Sequence, residues 1–125
     1  MEVAHAAQTL AYLGDAVFEL YVRTLLSEGK NVPVRELNRL AKKYVSARAQ
    51  SKMYHAIYDE LTEEEQQMLK RGRNLNPLTR AKNATVSDYR HATGLETLFG
   101  FLYVNDKTER IKEVFEACVK AINGG

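Results

Sequence analysis

Apolar residues recur along this chain at intervals of three and four, the spacing that places side chains on one face of an α-helix. The first such segment runs from about Val3 to Ser27, and Gly29 is its predicted stop. No segment alternates apolar and polar residues over the length of a β-strand. The pattern predicts an all-α fold with about six to seven helices. The first helix should turn inward a stripe made of Leu10, Leu13, Val17, Leu20 and Tyr21.

Residues that commonly start helices indicate where the next three begin. Pro33 suits the first turn of a second helix, because the N–H that proline lacks would be unpaired there. Ser46 is the predicted N-cap of a third helix. Thr62 and Glu65 form a capping box for a fourth helix, which should end near Gly72. The second helix should bury Val34, Leu37, Leu40, Ala41 and Tyr44.

The stretch between Gly72 and Val86 has no helical periodicity and is rich in turn-forming residues. Loops of this length are uncommon in compact domains and often carry function. Beyond the loop, Ser87 is the predicted cap of a fifth helix. Asp106 with Glu109 is the predicted cap of the last helix.

The 125 residues carry a net charge of only +2, but the charges are unevenly distributed. One basic segment spans 35–52 and a second spans 70–91, each with six Lys or Arg residues and one acid. An acidic run over 59–65 separates them. Basic segments suit a phosphate backbone, although solvated helix faces are an equally ordinary interpretation. The length predicts a single domain, 1–125, in which one surface serves both binding and catalysis.

Three features bear on where the protein acts. No apolar run is long enough to span a membrane, and the N-terminus has neither the basic start nor the apolar stretch of a secretory signal. The single cysteine, Cys118, lies on an apolar stripe and cannot form an internal disulfide. These features predict a cytoplasmic protein without membrane contact, with Cys118 in its core.

Glycines inside predicted helices accompany two acidic residues. An interior glycine costs about 1 kcal/mol relative to alanine, so its presence needs a reason. Gly14 stands directly before Asp15, and Gly94 and Gly100 flank Glu96. Such small residues would let a neighbouring helix or a ligand approach these acids closely.

Asp15 and Glu96 also interrupt the most apolar helices of the chain, where an unpaired carboxylate is costly to bury. Each could pair with an arginine or with backbone N–H groups. A divalent cation is the other option, because Mg²⁺ takes one or two carboxylates together with water and substrate phosphate. Glu19, one turn after Asp15, could assist, although it also stands in the favoured order for an ion pair with Arg23.

The remaining motifs favour no other chemistry. His5, His55 and His91 are isolated in the sequence, so zinc coordination is not expected. The sequence contains neither a phosphate-binding loop of the Walker type nor a dinucleotide-binding fingerprint.

Two segments resemble those of a known family. Leu10-Ala-Tyr-Leu-Gly-Asp-Ala-Val-Phe-Glu19 resembles the signature helix of ribonuclease III, whose core is Leu-Gly-Asp-Ala. Gly94-Leu-Glu-Thr-Leu-Phe-Gly-Phe-Leu-Tyr103 resembles the second conserved helix of that family. The short chain, with Lys70-Arg-Gly-Arg-Asn74 opening the loop, is similar to the subclass that has the catalytic domain and no double-stranded-RNA-binding domain.

This resemblance implies an all-α endonuclease domain that acts as a homodimer and hydrolyses double-stranded RNA with Mg²⁺, for which Mn²⁺ can substitute. For the subclass it implies maturation of precursor 23S ribosomal RNA, with a large-subunit ribosomal protein as a candidate partner. By motif position, Asp15 and Glu96 match two acids of the family's metal site and are the predicted catalytic and metal-binding residues. The alternative is a catalytically inactive relative that binds RNA or the ribosome.

The chain departs from the full-length family pattern at three positions. That pattern has acids seven and four residues before the signature aspartate, where this chain has Gln8 and Ala11. It also has an aspartate three residues before the second-helix glutamate, where this chain has Thr93. Fewer carboxylates predict weaker metal binding without substrate, with more of the coordination left to water and RNA phosphate.

Contacts with the RNA backbone are assigned to the loop, because A-form RNA is recognised mainly through its shape, phosphates and 2′-hydroxyls. The predicted RNA-binding residues are Arg71, Arg73, Asn74, Arg80, Lys82 and Asn83. Weaker candidates are Lys42, Lys43 and Arg48. Tyr12, in the signature helix, is either part of the dimer interface that the resemblance implies or an ordinary core residue.

Overall fold

The computed structural model of this chain describes residues 6–29, 31–75 and 85–124. Within these ranges the protein consists of helices and their connections, without a strand, so the predicted all-α fold is confirmed there. The helices are α1 (Ala7–Ser27), α2 (Val34–Val45), α3 (Ala47–Ile57), α4 (Glu63–Arg73), α5 (Val86–Val104) and α6 (Thr108–Asn123), with a 3₁₀ turn at Tyr58–Glu60.

The central element is α5, which packs against α1, α3 and α4. Its side chains Leu95, Leu98 and Phe99 are fully buried. The helix α6 packs mainly against α3 and completes the core. Phe18 of α1 meets Phe99 edge-on, with ring centroids 5.3 Å apart. Cys118 is buried as predicted, and burial raises the pKa of its thiol.

Several predicted helix boundaries are confirmed, and two of them are fixed by local hydrogen bonds. The Ser46 hydroxyl accepts a bond from the Ala49 N–H at 3.2 Å. Thr62 and Glu65 form both bonds of the capping box, at 3.2 and 2.9 Å. Gly29 follows α1 with a φ of 63°, a left-handed conformation that glycine adopts without strain.

Three other boundaries were predicted wrongly. Pro33 precedes α2 as its N-cap instead of occupying its first turn. Thr85, two residues before the predicted Ser87, caps α5 by accepting a bond from the Asp88 N–H at 2.9 Å. Lys107 stands at the N-cap of α6 and provides no side-chain cap.

Asp106 belongs to the end of α5 and not to the start of α6. The Lys107 N–H donates to the Leu102 carbonyl at 2.9 Å, and the Asp106 N–H donates to the Tyr103 carbonyl at 3.0 Å. Asp106 itself has a φ of 57°. These bonds define a Schellman motif with aspartate in the left-handed position that glycine usually takes. The prediction that Asp106 and Glu109 cap the last helix was therefore wrong.

The predicted inward stripes of α1 and α2 were also partly wrong. Leu20 is 63% exposed and Val34 is 70% exposed, whereas Phe18 and Val22 of α1 are buried. Because α1 carries apolar residues around most of its circumference, periodicity alone did not fix its rotation. The face that contacts α5 is the one that includes Gly14.

One ion pair joins α4 to α6 through the core edge. Arg110 donates to both carboxylate oxygens of Glu65 at 2.8 Å, and Glu65 is only 5% exposed. The same guanidinium donates to the Glu60 carbonyl at 3.3 Å. The hydrogen bonds from Arg110, followed by those from Thr62, hold the pKa of Glu65 below its ordinary value against the effect of burial.

Replacement of Arg110 by methionine should lower the free energy of unfolding by about 2–4 kcal/mol at neutral pH, because Glu65 would remain buried without its partner. A carboxylate with a lowered pKa in the folded state stabilises above its unfolded pKa and loses this effect as the pH falls. The difference between variant and wild type should therefore shrink below about pH 4. Urea unfolding at neutral and acidic pH measures it, with the exposed Lys112→Met as control. Equal stability of the two variants would contradict a structural role for the pair.

None of the helices that the structure describes combines the length and hydrophobicity needed to cross a membrane.

Candidate active site

The helices α1 and α5 cross with their backbones in contact. A Cβ atom added to Gly14 would overlap the carbonyl oxygen of Glu96 and would lie 2.8 Å from the backbone nitrogen of Gly100. A Cβ added to Gly100 would overlap the carbonyl oxygen of Leu10 and would lie 2.7 Å from its carbonyl carbon. Real side chains do not tolerate such distances. The expectation that glycine permits close approach is therefore confirmed for Gly14 and Gly100.

This crossing brings two carboxyl groups together. Asp15 follows Gly14 on α1, and Glu96 belongs to the part of α5 that Gly14 touches. Burial raises the pKa of Glu96 to about 8, and the neighbouring Asp15 charge adds to the shift. Hydrogen bonding between the Glu96 and Asp15 carboxyl groups raises the pKa of Glu96 further, and repulsion by Glu19 makes a smaller contribution. Asp15 itself is exposed, so the pair has one carboxyl group in the protein and one at the surface.

Of the three acids Asp15, Glu19 and Glu96, only Glu19 is paired with a basic residue among the described residues. Glu19 accepts an ion pair from Arg23 at 3.3 Å, as their spacing indicated. Neither Asp15 nor Glu96 has a basic partner within the part of the chain that the structure describes. The two carboxyl groups therefore repel each other when both are ionised.

A hard divalent cation fits this pair. No group of three or more histidine, cysteine or acidic side chains arranged for metal binding occurs among the described residues. Mg²⁺ does not need such a cage, because it keeps several waters and is commonly held by one or two carboxylates with substrate phosphate. A positive charge between Asp15 and Glu96 would remove the repulsion that raises the pKa of Glu96.

Gly94 has a different role from the one its sequence position indicated. A Cβ on Gly94 would lie 2.6 Å from the Leu69 carbonyl oxygen, and one on Gly72 would lie 2.7 Å from the Gly94 Cα. These contacts belong to the crossing of α4 and α5. Gly94 thus does not clear the face of Glu96 and instead positions the C-terminal turn of α4, which carries Arg71 and Arg73.

The structure places only the first half of the predicted RNA-binding set. Arg71 and Asn74 are exposed at the end of α4, and the Nε of Arg73 donates to the Asn74 side-chain oxygen at 3.2 Å. The remaining candidates, Arg80, Lys82 and Asn83, lie outside the described residues. The weaker candidates Lys42, Lys43 and Arg48 are all exposed, on α2 and α3.

Comparison with known proteins decides the family. A sequence model of the Ribonuclease III domain matches residues 8–107. The chain belongs to the ribonuclease III family. It is 47% identical to the Mini-ribonuclease 3 of Enterococcus faecalis, over 90% of this chain and 87% of that protein. It is 45% identical to the Mini-ribonuclease 3 of a Thermoanaerobacter strain, over 90% of this chain and 80% of that protein.

A solved structure has the same fold. The crystal structure of a Fusobacterium nucleatum protein superimposes with a TM-score of 0.85 at 34% identity, over 94% of this chain and 90% of that one. The similarity to Mini-ribonuclease 3 proteins is thus confirmed, and this ribonuclease III family member is an endoribonuclease.

The three positions at which this ribonuclease III departs from the family pattern add no carboxylate to the acid pair. Gln8 is exposed, and Ala11 is buried in the contact between helices. The Thr93 hydroxyl donates to the Tyr89 carbonyl of its own helix at 3.0 Å. The described acids near Glu96 are therefore Asp15 and Glu19.

Two further residue assignments change in the structure. Tyr12 is 80% exposed, so its interpretation as a core residue was wrong. His55 and His91 were described as isolated, but α3 and α5 bring their rings to a centroid distance of 4.5 Å. No spacing rule could have paired two residues on helices so distant in sequence, because their contact depends on how α3 packs against α5.

Proposed function

We propose that this ribonuclease III is a metal-dependent endoribonuclease that cleaves double-stranded RNA, acts as a homodimer of single catalytic domains, and matures precursor 23S ribosomal RNA. The observation that carries the proposal is the meeting of Asp15 and Glu96 where α1 crosses α5. Names of the relatives support the reaction class, and the carboxylate pair supports the dependence on metal.

In this proposal Asp15 and Glu96 hold Mg²⁺, for which Mn²⁺ can substitute. Held there, the ion would supply Lewis-acid stabilisation of negative charge on the phosphodiester and would lower the pKa of a bound water. Glu96 provides a rigid, half-buried ligand because its backbone is packed against Gly14. Asp15 faces solvent, where it can reach water and RNA phosphate. Glu96 must lose its proton to act as a ligand, so the cation and the proton compete for the same site.

The proposed dimer rests on the exposed side of α1. Tyr12 lies one turn before Asp15, and Leu20 lies further along the same helix, with exposures of 80% and 63%. Large apolar side chains on one exposed helix are typical of interaction surfaces. A two-fold arrangement would present one acid pair to each strand of a duplex, which gives the dimer a functional reason.

Incubation of the pure protein with long duplex RNA, in Mg²⁺ and in EDTA, tests the proposal. We expect the RNA to be cleaved in Mg²⁺ and to remain intact in EDTA. Binding without cleavage in either condition would favour an inactive RNA-binding relative. Comparison of naked precursor 23S RNA with the same RNA bound to large-subunit ribosomal proteins tests the proposed substrate and the ribosomal partner.

The double substitution Arg71→Glu and Arg73→Glu should weaken binding to duplex RNA and flatten its salt dependence. Each lost phosphate contact should reduce the slope of log K against log salt by about 0.7–0.9. Fluorescence anisotropy in EDTA over a series of KCl concentrations measures both effects. The control is Lys112→Glu on α6. A slope equal to that of the wild type would place the RNA surface elsewhere.

A further inference from the structure

The outer face of α3 carries a row of basic side chains. Arg48, Lys52 and His55 follow one another at intervals of four and three residues, and all are exposed. This spacing places them on one face of the helix over a length of about 10 Å. Like charges one turn apart repel each other, so the row is slightly destabilising in the absence of a partner.

Arg48 and Lys52 are among the described basic residues that have no acidic partner. Arg23, Arg39, Arg110 and Lys112 each form an ion pair with an acid on a nearby turn or helix. Arg48 and Lys52 form none within the described ranges. Their charge is therefore available to an external anion.

The row continues onto α5 through the histidine pair. The His91 ring lies against His55 at a centroid distance of 4.5 Å and against the Tyr54 ring at 4.6 Å. The Nδ1–H of His91 donates to the Ser87 carbonyl at 2.7 Å. This bond fixes the orientation of the ring and leaves its Nε2 for another partner.

The histidine pair also adjoins both ends of the basic loop. Tyr54 lies near Arg73 on α4, and the Nζ of Lys70 lies 5.8 Å from the ring centroid of Tyr58. His91 lies in the second turn of α5, which begins at Val86 directly after the loop. The α3 row therefore lies beside Lys70 and Arg73 at the end of α4.

We propose that Arg48, Lys52, His55 and His91 form a phosphate-binding surface that holds the backbone of duplex RNA beside the contacts made by the loop. This inference rests on the proposed function and extends its RNA surface from the loop to α3. A metal is a poorer occupant, because the described residues add no third ligand to the two imidazoles. Duplex RNA fits better, because its recognition depends on phosphate contacts spread over a long surface.

His55 should make binding depend on pH. His55 faces His91 and Asp88 of α5, lies next to Tyr54, and shares its helix face with Lys52, while Lys70 and Arg73 of α4 face the tyrosines. Burial and His91 lower the pKa of His55, and Asp88 opposes them. The imidazole is thus neutral at pH 7.5 and gains its charge on acidification, when a nearby phosphate would favour the protonated form.

Fluorescence anisotropy with a labelled RNA duplex in EDTA tests the surface without cleavage. Arg48→Gln with Lys52→Gln should reduce the salt slope by about 1.4–1.8 and weaken binding at moderate salt by roughly eightfold for each contact. Wild-type affinity should rise by up to about eightfold between pH 8 and pH 5.5, as one contact gains its charge. His55→Phe keeps a ring in the same place and should abolish most of this rise.

Two control variants separate this surface from the loop and from general charge effects. Arg71→Gln should weaken binding at every pH and retain the pH dependence, and Lys112→Gln should change neither. A wild-type salt slope in the Arg48/Lys52 variant, or a wild-type pH dependence in His55→Phe, would overturn the proposal. Mg²⁺-dependent cleavage by the wild type, measured alongside, keeps that failure distinct from failure of the proposed function.

Discussion

Asp15→Asn should reduce Mg²⁺-dependent cleavage of duplex RNA by at least about 100- to 1,000-fold while leaving RNA binding largely intact. The amide keeps the size of the carboxylate but removes half of the negative charge that would hold the cation. Asp15 is exposed, so the substitution leaves no buried group without a partner. Initial rates of cleavage and anisotropy in EDTA measure the two properties on the same protein.

The same variant should be more stable than the wild type when metal is absent. The pKa of Glu96 is raised from 4.5 to about 8, so the folded state binds a proton that the unfolded state has lost. Between these two values, stability falls as the pH rises. Removal of the Asp15 charge weakens one cause of the shift. In EDTA near pH 7.5, the Tm of Asp15→Asn should exceed that of the wild type by about 2–6 °C.

Opposite changes in activity and stability distinguish a ligand from a structural residue. Glu28→Gln removes an exposed acid from the end of the same helix and serves as the matched control. Normal cleavage by Asp15→Asn would overturn the site assignment. A lower Tm together with lost RNA binding would mean that Asp15 supports the fold instead of the reaction.

The features that could be predicted from the sequence depend on a few neighbouring residues. The Ser46 and Thr62 caps satisfy backbone N–H groups three residues away, so their signal is local. The close approach of a neighbouring helix or a ligand at Gly14 and Gly100 could also be predicted, because glycine is costly inside a helix unless its small size is needed. The structure shows that α1 and α5 meet there. The adjacency of these glycines to Asp15 and Glu96 located the acid pair.

The features that the sequence did not reveal depend on how whole helices are rotated and paired. Leu20 is exposed although it fits an apolar stripe, because the contact at Gly14 fixes the rotation of α1. Asp106 has the sequence of an N-cap but adopts a left-handed conformation that ends α5. The contact between His55 and His91 exists only because α3 packs on α5.

Gly100→Ala should destabilise the protein by about 3 kcal/mol or more, although alanine normally stabilises a helix interior by about 1 kcal/mol relative to glycine. The new methyl group would overlap the Leu10 carbonyl, which is backbone and cannot rotate away as a side chain can. The helix α1 must therefore move away from α5. Gly124→Ala, whose Cβ would meet no atom within 4 Å, is the matched control and should change stability by less than about 0.5 kcal/mol.

A methyl group at Gly14 should also push α1 away from α5. This movement should separate the two carboxyl groups, because Gly14 precedes Asp15 and contacts the backbone of Glu96. We therefore expect Gly14→Ala to lose cleavage even at temperatures well below its Tm, where the protein is still folded. Urea unfolding and cleavage rates at low temperature measure the two effects separately. Full activity with unchanged stability in Gly14→Ala would contradict the direct backbone contact. Reduced stability with full activity would show that the acid pair does not depend on this crossing.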